Sequence, residues 1–189
     1  MKIFLLLGHS DQATLSGAFA DTYERAAKGA GHTVRRQNIG EMVFDPILHE
    51  GYKKIQPLES DLETFCNNVH WAEHLVVIYP TWWSSMPALL KGLFDRAWLP
   101  HEAFNFADHG LTWNKLLGGR TARIITSANM NPWLLTFMYG SPTVILEFAI
   151  LRFAGIRARS TVFGPSERAS AATHARWLRR VERLGQKGR

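Results

Sequence analysis

Hydrophobic positions along the chain follow two alternating patterns, short apolar runs and longer stretches with apolar residues at helical spacing. The clearest pair covers residues 75–98. The run from Leu75 to Tyr79 is apolar without interruption, which is typical of a strand buried on both faces of a parallel sheet. After Pro87 the apolar side chains recur every three or four residues, which indicates an amphipathic helix. The pattern therefore predicts a strand, a short loop and a helix in direct succession.

The same alternation continues through the chain and predicts five strands with helices between them. The predicted strands are residues 2–7, 33–39, 75–79, 120–126 and 156–163. The predicted helices are residues 14–30, 58–73, 87–98, 142–153 and a last one from an N-cap at Ser166 to about residue 184, with a helical turn at 132–139. Residues 40–57 and 99–118 show no regular period and are predicted to be loops. Strands that alternate with helices predict an α/β fold, a doubly wound parallel sheet with helices on both faces.

Length and composition restrict the class of protein. A chain of 189 residues that is 46% hydrophobic is long enough for one domain, predicted to span residues 1–189. It has no run of 18 apolar residues, so no transmembrane segment is predicted. The single cysteine, Cys66, cannot form an internal disulfide, and its helical context favours a core position over a reactive thiol. Without a disulfide framework or a signal-peptide pattern, the predicted location is cytoplasmic.

Basic residues are in excess, with a net charge of +6, and many of them follow Arg152. Such a concentration can attract nucleic acid or an anionic surface. The arginines between residues 168 and 183, however, fall on the polar side of an amphipathic pattern, which favours a solvated helix face. No zinc-finger or RNA-recognition signature is present in the sequence. We therefore predict no nucleic-acid partner.

Two loops at predicted strand ends carry candidate chemistry, because ligands of open α/β sheets bind beyond the carboxyl ends of the strands. Residues 81–86 place two neighbouring tryptophans there, which either border a flat ring or pack under a helix. Residues 9–16 supply a histidine and hydroxyls at a helix start. That composition suits a phosphate, although a capping turn alone explains it equally well. His70 and His74 are four residues apart and could share a helix face, but they have no third ligand, so no metal site is predicted.

Two motifs resemble those of the flavodoxin-like NAD(P)H:quinone reductases and their modulator-of-drug-activity and potassium-efflux-ancillary relatives. Residues 79–96 read Y-P-x-W-W-x-x-M-P-A-x-L-K-G-x-x-D-R, and residues 8–16 read G-H-x-x-x-x-T-L-S. The second has leucine where phenylalanine is commoner. The resemblance implies a flavodoxin-like five-stranded sheet of order 2-1-3-4-5 that binds a flavin. The implied flavin contacts are His9, Thr14, Leu15, Ser16, Pro80, Thr81, Trp82, Trp83 and Ser84.

A third flavin segment is expected after the fourth strand, where relatives often have T-x-G-G. Here Thr126, Ser127 and Asn129 stand in that segment, and the glycine pair is missing. Side chains in place of the glycines restrict positive φ. The sequence alone therefore leaves the backbone conformation of this loop undecided. The resemblance further implies a wall of the substrate pocket at Phe104 and Phe106.

The implied activity is hydride transfer from NAD(P)H through flavin N5 to a quinone-like acceptor by a ping-pong scheme. Tyr139 is the implied proton donor. The resemblance favours FAD slightly over FMN, and it implies a homodimer with the active site at the twofold interface.

A different class of function has the same fold and flavin site. The chain can instead be a non-catalytic flavoprotein, either an electron carrier or the regulatory subunit of a potassium-efflux system. A carrier that docks on basic reductases favours an acidic surface, whereas this chain is basic. The charge therefore favours the enzyme.

Overall fold

The structure is a computed structural model that describes residues 1–51, 53–106 and 112–189. Its strands are β1 (Lys2–Leu7), β2 (Thr33–Asn38), β3 (His74–Pro80), β4 (Phe104–Phe106), β5 (Trp113–Lys115), β6 (Thr121–Ser127) and β7 (Arg157–Phe163). Its α-helices are α1 (Leu15–Gly29), α2 (Ser60–Trp71), α3 (Ala88–Ala97), α4 (Pro132–Tyr139) and α5 (Ala171–Lys187). A 3₁₀ turn at Ile39–Glu41 and a π-helix at Ile145–Arg152 complete the elements.

Five of the strands form one parallel sheet in the order β2-β1-β3-β6-β7. Strands β4 and β5 form a separate antiparallel hairpin within residues 99–118. The predicted order 2-1-3-4-5 therefore describes the main sheet only when the hairpin strands are left out of the count. The prediction of an irregular loop at 99–118 was wrong where the hairpin forms, because the Trp113 ring stacks on Phe153 4.5 Å away and holds β5 there. Residues 107–111 of that loop lie outside the described residues.

Helices cover both faces of the sheet, as predicted. Phe4 and Leu6 of β1 belong to the core beneath α2 and α3, whereas Ile3 and Leu5 belong to the core beneath α1 and α5. Successive side chains of a strand point to opposite faces, so an unbroken apolar strand supplies both cores. Among the described helices, none has the length and apolar character that a bilayer crossing requires.

Three local predictions need correction. Ser170, and not Ser166, caps α5: its side chain accepts a hydrogen bond from the Thr173 N–H, because a serine must directly precede the first turn to reach these donors. The predicted helix 142–153 is a π-helix over its central part. His74 begins β3 and does not share a helix with His70, because α2 ends at Trp71 and the chain then enters the sheet.

Two interpretations of single features agree with the structure. Cys66 is buried, and burial raises the pKa of its thiol to about 12, as expected for a core residue. On α5, the side chains of Arg176 and Arg183 are exposed while Trp177 and Val181 are buried. The basic end of the chain thus includes a solvated helix face.

One buried arginine fixes the irregular segment before α2. Arg96 of α3 has no solvent exposure. Its guanidinium donates to the carbonyls of Asp45 and Pro57 and to both carboxylate oxygens of Glu59. A buried guanidinium needs such partners to offset its lost hydration. These bonds tie residues 45–59 to α3, the helix that follows the tryptophan loop.

We expect Arg96→Gln to lower the free energy of unfolding by about 3 kcal/mol or more, since it removes a fully buried guanidinium together with its ion pair to Glu59. Chemical denaturation measures the change. Lys91→Gln is the matched control on the same helix: Lys91 pairs with Asp95 at 2.6 Å with both side chains exposed, so its loss should cost less than about 1 kcal/mol. Equal losses in the two variants would contradict the structural role of Arg96.

Candidate active site

The loops that follow β1, β3 and β6 meet at the carboxyl edge of the sheet. The Gly8 N–H donates to the Ile78 carbonyl at 2.7 Å, which joins the first loop to β3. The Thr81 N–H donates to the Ser127 carbonyl at 2.8 Å. The hydroxyls of Thr81 and Thr126 are 2.8 Å apart, and Thr126 is fully buried. The strand ends predicted to form one site are therefore hydrogen-bonded neighbours.

The loop after β3 contains a tight turn with two residues in an unfavourable backbone region. Trp82 and Ser85 exchange both backbone hydrogen bonds, at 2.9 and 3.0 Å. Trp83 and Ser84 lie between them with φ of 49° and 60°, where glycine is usual. Each such residue costs about 1–3 kcal/mol, and strain of this kind is often found at ligand sites.

The side chains of this turn are either exposed or without a hydrogen-bond partner among the described residues. The Trp83 indole is fully exposed, and about half of Trp82 is exposed. The Ser84 hydroxyl oxygen is buried and has no hydrogen-bond partner within the described chain. A strained turn that presents an indole and an unsatisfied hydroxyl is suited to a flat ligand with polar edges.

The loop after β1 is folded tightly against the start of α1. The Asp11 N–H donates to His9 Nδ1 at 2.8 Å, and the Asp11 carboxylate accepts from the Ala13 N–H at 2.8 Å. Thr14 caps α1 by accepting from the Gly17 N–H at 3.3 Å. Among the described residues, no hydrogen bond engages the N–H groups of Leu15 or Ser16. A helix N-terminus with such free donors is suited to a phosphate.

Two glycines allow the close packing of this loop. A Cβ atom at Gly17 would overlap the carbonyl of Gln12, and one at Gly40 would overlap the carbonyl of Ser10. The His9 ring also meets the Trp82 ring edge-on, with centroids 5.5 Å apart. The loop after β1 and the tryptophan loop after β3 are therefore in direct contact.

The loop after β6 is held by the segment after β7. The Asn129 side-chain amide donates to the Glu167 carboxylate at 2.7 Å, and the Glu167 N–H donates back to the Asn129 side chain at 3.3 Å. Ala128 is bonded through its backbone to Phe163 and Ser166. Neither Ala128 nor Asn129 has a positive φ. The missing glycine pair thus causes no backbone strain, and the Asn129 amide is already engaged.

Among the described residues, Phe104, Phe106 and Tyr139 make no hydrogen bond to these three loops. Phe104 is buried in the core, with its ring 4.9 Å from Phe153 and 5.2 Å from Phe106. Phe106 is 65% exposed, so it is the one of the predicted pair whose ring faces solvent. Tyr139, the last residue of α4, is 61% exposed. Pro80 is the last residue of β3 and is half-buried.

Sequence reasoning missed several residues that shape the site. The structural role of Asp11 was predictable, because an aspartate side chain commonly accepts a hydrogen bond from the N–H two residues further along the chain and so forms a turn. Gly40 and Glu167 gave no such local signal, since their partners are 30 or more residues away in the chain. In the ranges that the structure describes, no three His, Cys, Asp or Glu side chains come together for a metal ion. His70 instead lies 3.3 Å from the carboxylate of Glu102.

Comparison with known proteins decides the family. The sequence matches the profile of the flavodoxin-like fold over residues 1–183. The chain belongs to the flavodoxin-like fold family. The resemblance drawn from the two motifs is thereby confirmed.

One named relative and two solved structures of the same fold each match nearly the whole chain. A rat protein named ribosyldihydronicotinamide dehydrogenase [quinone] is 26% identical over 217 residues, covering 97% of this chain and 91% of the relative. The structure of an NAD(P)H:quinone oxidoreductase from Methanothermobacter marburgensis superposes with a TM-score of 0.84 at 24% identity, covering 100% and 99% of the two chains. An FMN-dependent NADH-azoreductase from Bacillus anthracis, solved with FMN, gives 0.80 at 17% identity and 98% coverage of both chains.

Replacing Trp83 separates the strain of the turn from ligand binding. We expect Trp83→Gly to raise the free energy of unfolding of the flavin-free protein by about 1 kcal/mol, because glycine adopts positive φ without strain. Trp83→Ala retains the strain and should leave stability nearly unchanged. Both variants should bind flavin more weakly, as measured by fluorescence titration. Unchanged flavin affinity in both variants would contradict the placement of this indole beside the ring.

Proposed function

We propose that this protein is a flavin-dependent NAD(P)H oxidoreductase that reduces a quinone or a similar aromatic acceptor. The observation that carries the proposal is the junction of the three loops at one sheet edge. That junction combines free N–H donors, an exposed indole and an unsatisfied buried hydroxyl. The quinone reductase names of relatives that cover nearly the whole chain support the same activity.

The residues present fit a flavin. The N–H groups of Leu15 and Ser16 would bind its phosphate, with His9 and the Thr14 hydroxyl beside them. Trp82, Trp83 and the Ser84 hydroxyl would border its ring, and Pro80, Thr81, Thr126, Ser127 and Asn129 would complete the walls of the site. When bound, the flavin supplies hydride transfer through its N5 atom from reduced nicotinamide to the acceptor.

The chain's own residues would position the substrates. Trp83 and Phe106 offer exposed aromatic faces on which a nicotinamide or a quinone can stack. We infer a ping-pong scheme in which the two substrates occupy this surface in turn. The exposed Tyr139 hydroxyl donates a proton to an oxygen of the reduced acceptor. Phe104 acts by packing beneath Phe106, at a ring distance of 5.2 Å.

FMN and FAD differ only in the part of the cofactor beyond the first phosphate. FMN and FAD share the ring and that phosphate, which are the parts that the three loops address. The motif after β1 favours FAD, whereas the azoreductase neighbour was solved with FMN. Mass spectrometry of the cofactor released from purified protein distinguishes the two.

We further propose a cytoplasmic location, where NAD(P)H is available as reductant.

A steady-state assay tests the enzyme against a non-catalytic flavoprotein, either an electron carrier or a regulatory subunit of a potassium-efflux system. We expect flavin-loaded protein to oxidise NADH or NADPH with a benzoquinone far faster than free flavin does. Tyr139→Phe should lower kcat about tenfold or more if its hydroxyl supplies the proton, with flavin content unchanged. Turnover no faster than free flavin would instead support the non-catalytic alternative.

We also propose that the protein is a homodimer. Large apolar side chains on α4, on the π-helix and at the residue directly before the π-helix are exposed: Trp133, Phe137, Met138, Tyr139, Val144, Ile145 and Phe148. Exposed apolar side chains concentrated in one region commonly mark an interaction surface. A second copy of the chain would bury this surface and bring its aromatic side chains to the site.

The dimer is tested by sedimentation velocity. We expect the wild-type protein to sediment as a dimer and Phe137→Glu, at a side chain 83% exposed, as a monomer, since a buried unpaired carboxylate opposes association. Val43→Glu, at a side chain 80% exposed elsewhere, is the control and should remain dimeric. A monomeric wild type would disprove the homodimer.

A further inference from the structure

A second concave site lies at the opposite edge of the sheet. A cavity of about 940 Å³ opens at the amino ends of β3, β6 and β7. Its volume falls within the range of small-molecule sites, roughly 300–1,000 Å³. No aspartate or glutamate is among the described residues that line it. Its basic lining side chains include Lys115, Arg123, Arg152, Arg157, Arg159 and Lys187.

The arginines of this cavity are held side by side by the sheet. Arg123 of β6 and Arg159 of β7 are register partners, so their side chains leave the same face. Arg157 lies two residues before Arg159 and shares that face. Like charges placed directly opposite each other in a sheet are destabilising. Burial, together with the charges of Arg159 and Arg180, lowers the pKa of Arg123.

Three of these charges lack a carboxylate partner in the part of the chain that the structure describes. Arg152 has a carboxylate partner, Glu147, at 3.6 Å. Within the described residues, none of the ion pairs includes Arg123, Arg157 or Arg159. A concave surface with several uncompensated cations is a strong attractor for a multivalent anion.

Two buried polar atoms at the cavity also have no partner. His74 is only 2% exposed, and its Nδ1 lies 2.7 Å from the Thr121 hydroxyl. Its Nε2 atom and the Nε atom of Arg123 are both buried without a hydrogen-bond partner among the described residues. Both side chains line the cavity. Because buried polar atoms are nearly always paired, these two atoms leave unused hydrogen-bonding capacity in the lining of the cavity.

Taken together, the geometry points to a binding site for a small molecule that carries several phosphate groups. Guanidinium groups bind phosphate through paired N–H donors, and at least three of them converge here with a polar imidazole. The concave shape favours a compact ligand over a nucleic-acid strand, which needs an extended surface. The site lies at the edge opposite the flavin loops, so the proposal is independent of the proposed oxidoreductase activity.

Binding of inorganic tripolyphosphate to the flavin-loaded full chain tests the site. We expect isothermal titration calorimetry at constant ionic strength to show one saturable site per chain. Arg157→Gln combined with Arg159→Gln should weaken binding about tenfold or more. Arg25→Gln combined with Arg176→Gln removes the same charge from exposed positions outside the cavity and should change the affinity less than about twofold.

A second variant addresses the buried base of the cavity. His74→Phe removes the free Nε2 atom and should also weaken tripolyphosphate binding, while thermal denaturation checks that the variant is folded. If it does not fold, the exposed Arg157 and Arg159 pair still decides the question. The proposal is overturned by non-saturable binding or by equal losses in the Arg25 and Arg176 control. It is also overturned if a single-stranded oligonucleotide binds more tightly than tripolyphosphate with the same dependence on Arg157 and Arg159.

Discussion

The parallel alignment of β1, β3 and β6 is the constraint on which the rest of the structure depends. Their register pairs Leu7 with Ile78 and Tyr79 with Thr126, so the three strands end side by side. Parallel strands need crossover helices that cover both faces of the sheet. Every loop that leaves a strand end must then emerge at the same edge, and a site assembled from distant parts of the sequence follows directly.

Rigid supports and a strained loop are combined at that edge. The Thr81 and Thr126 hydroxyls, 2.8 Å apart, lock the base of the tryptophan loop to β6. Arg96 ties the helix that follows the loop to the segment before α2. Between these fixed points, Trp83 and Ser84 are held at positive φ. The surrounding structure thus supports a conformation that these side chains would not adopt alone.

The two edges of the sheet differ in chemistry. At the carboxyl edge, free backbone donors and exposed aromatic rings suit a flat cofactor with a phosphate tail. At the amino edge, Arg123 and Arg159 face one cavity without carboxylate partners in the described chain. One sheet can separate two such sites because its buried strands keep their ends far apart.

The sequence by itself determined the alternation of strands and helices, the family and the identity of the loops that carry the chemistry. Those features are encoded locally, in the spacing of apolar residues, in the positions of prolines and in two motifs of contiguous residues. Tertiary structure alone decided the hairpin β4–β5 and the engagement of Asn129 by Glu167. It also decided the burial of Phe104 and the basic cavity at the amino edge. Each of these joins residues far apart in the chain, and no local pattern records which distant side chains the folded sheet will bring together.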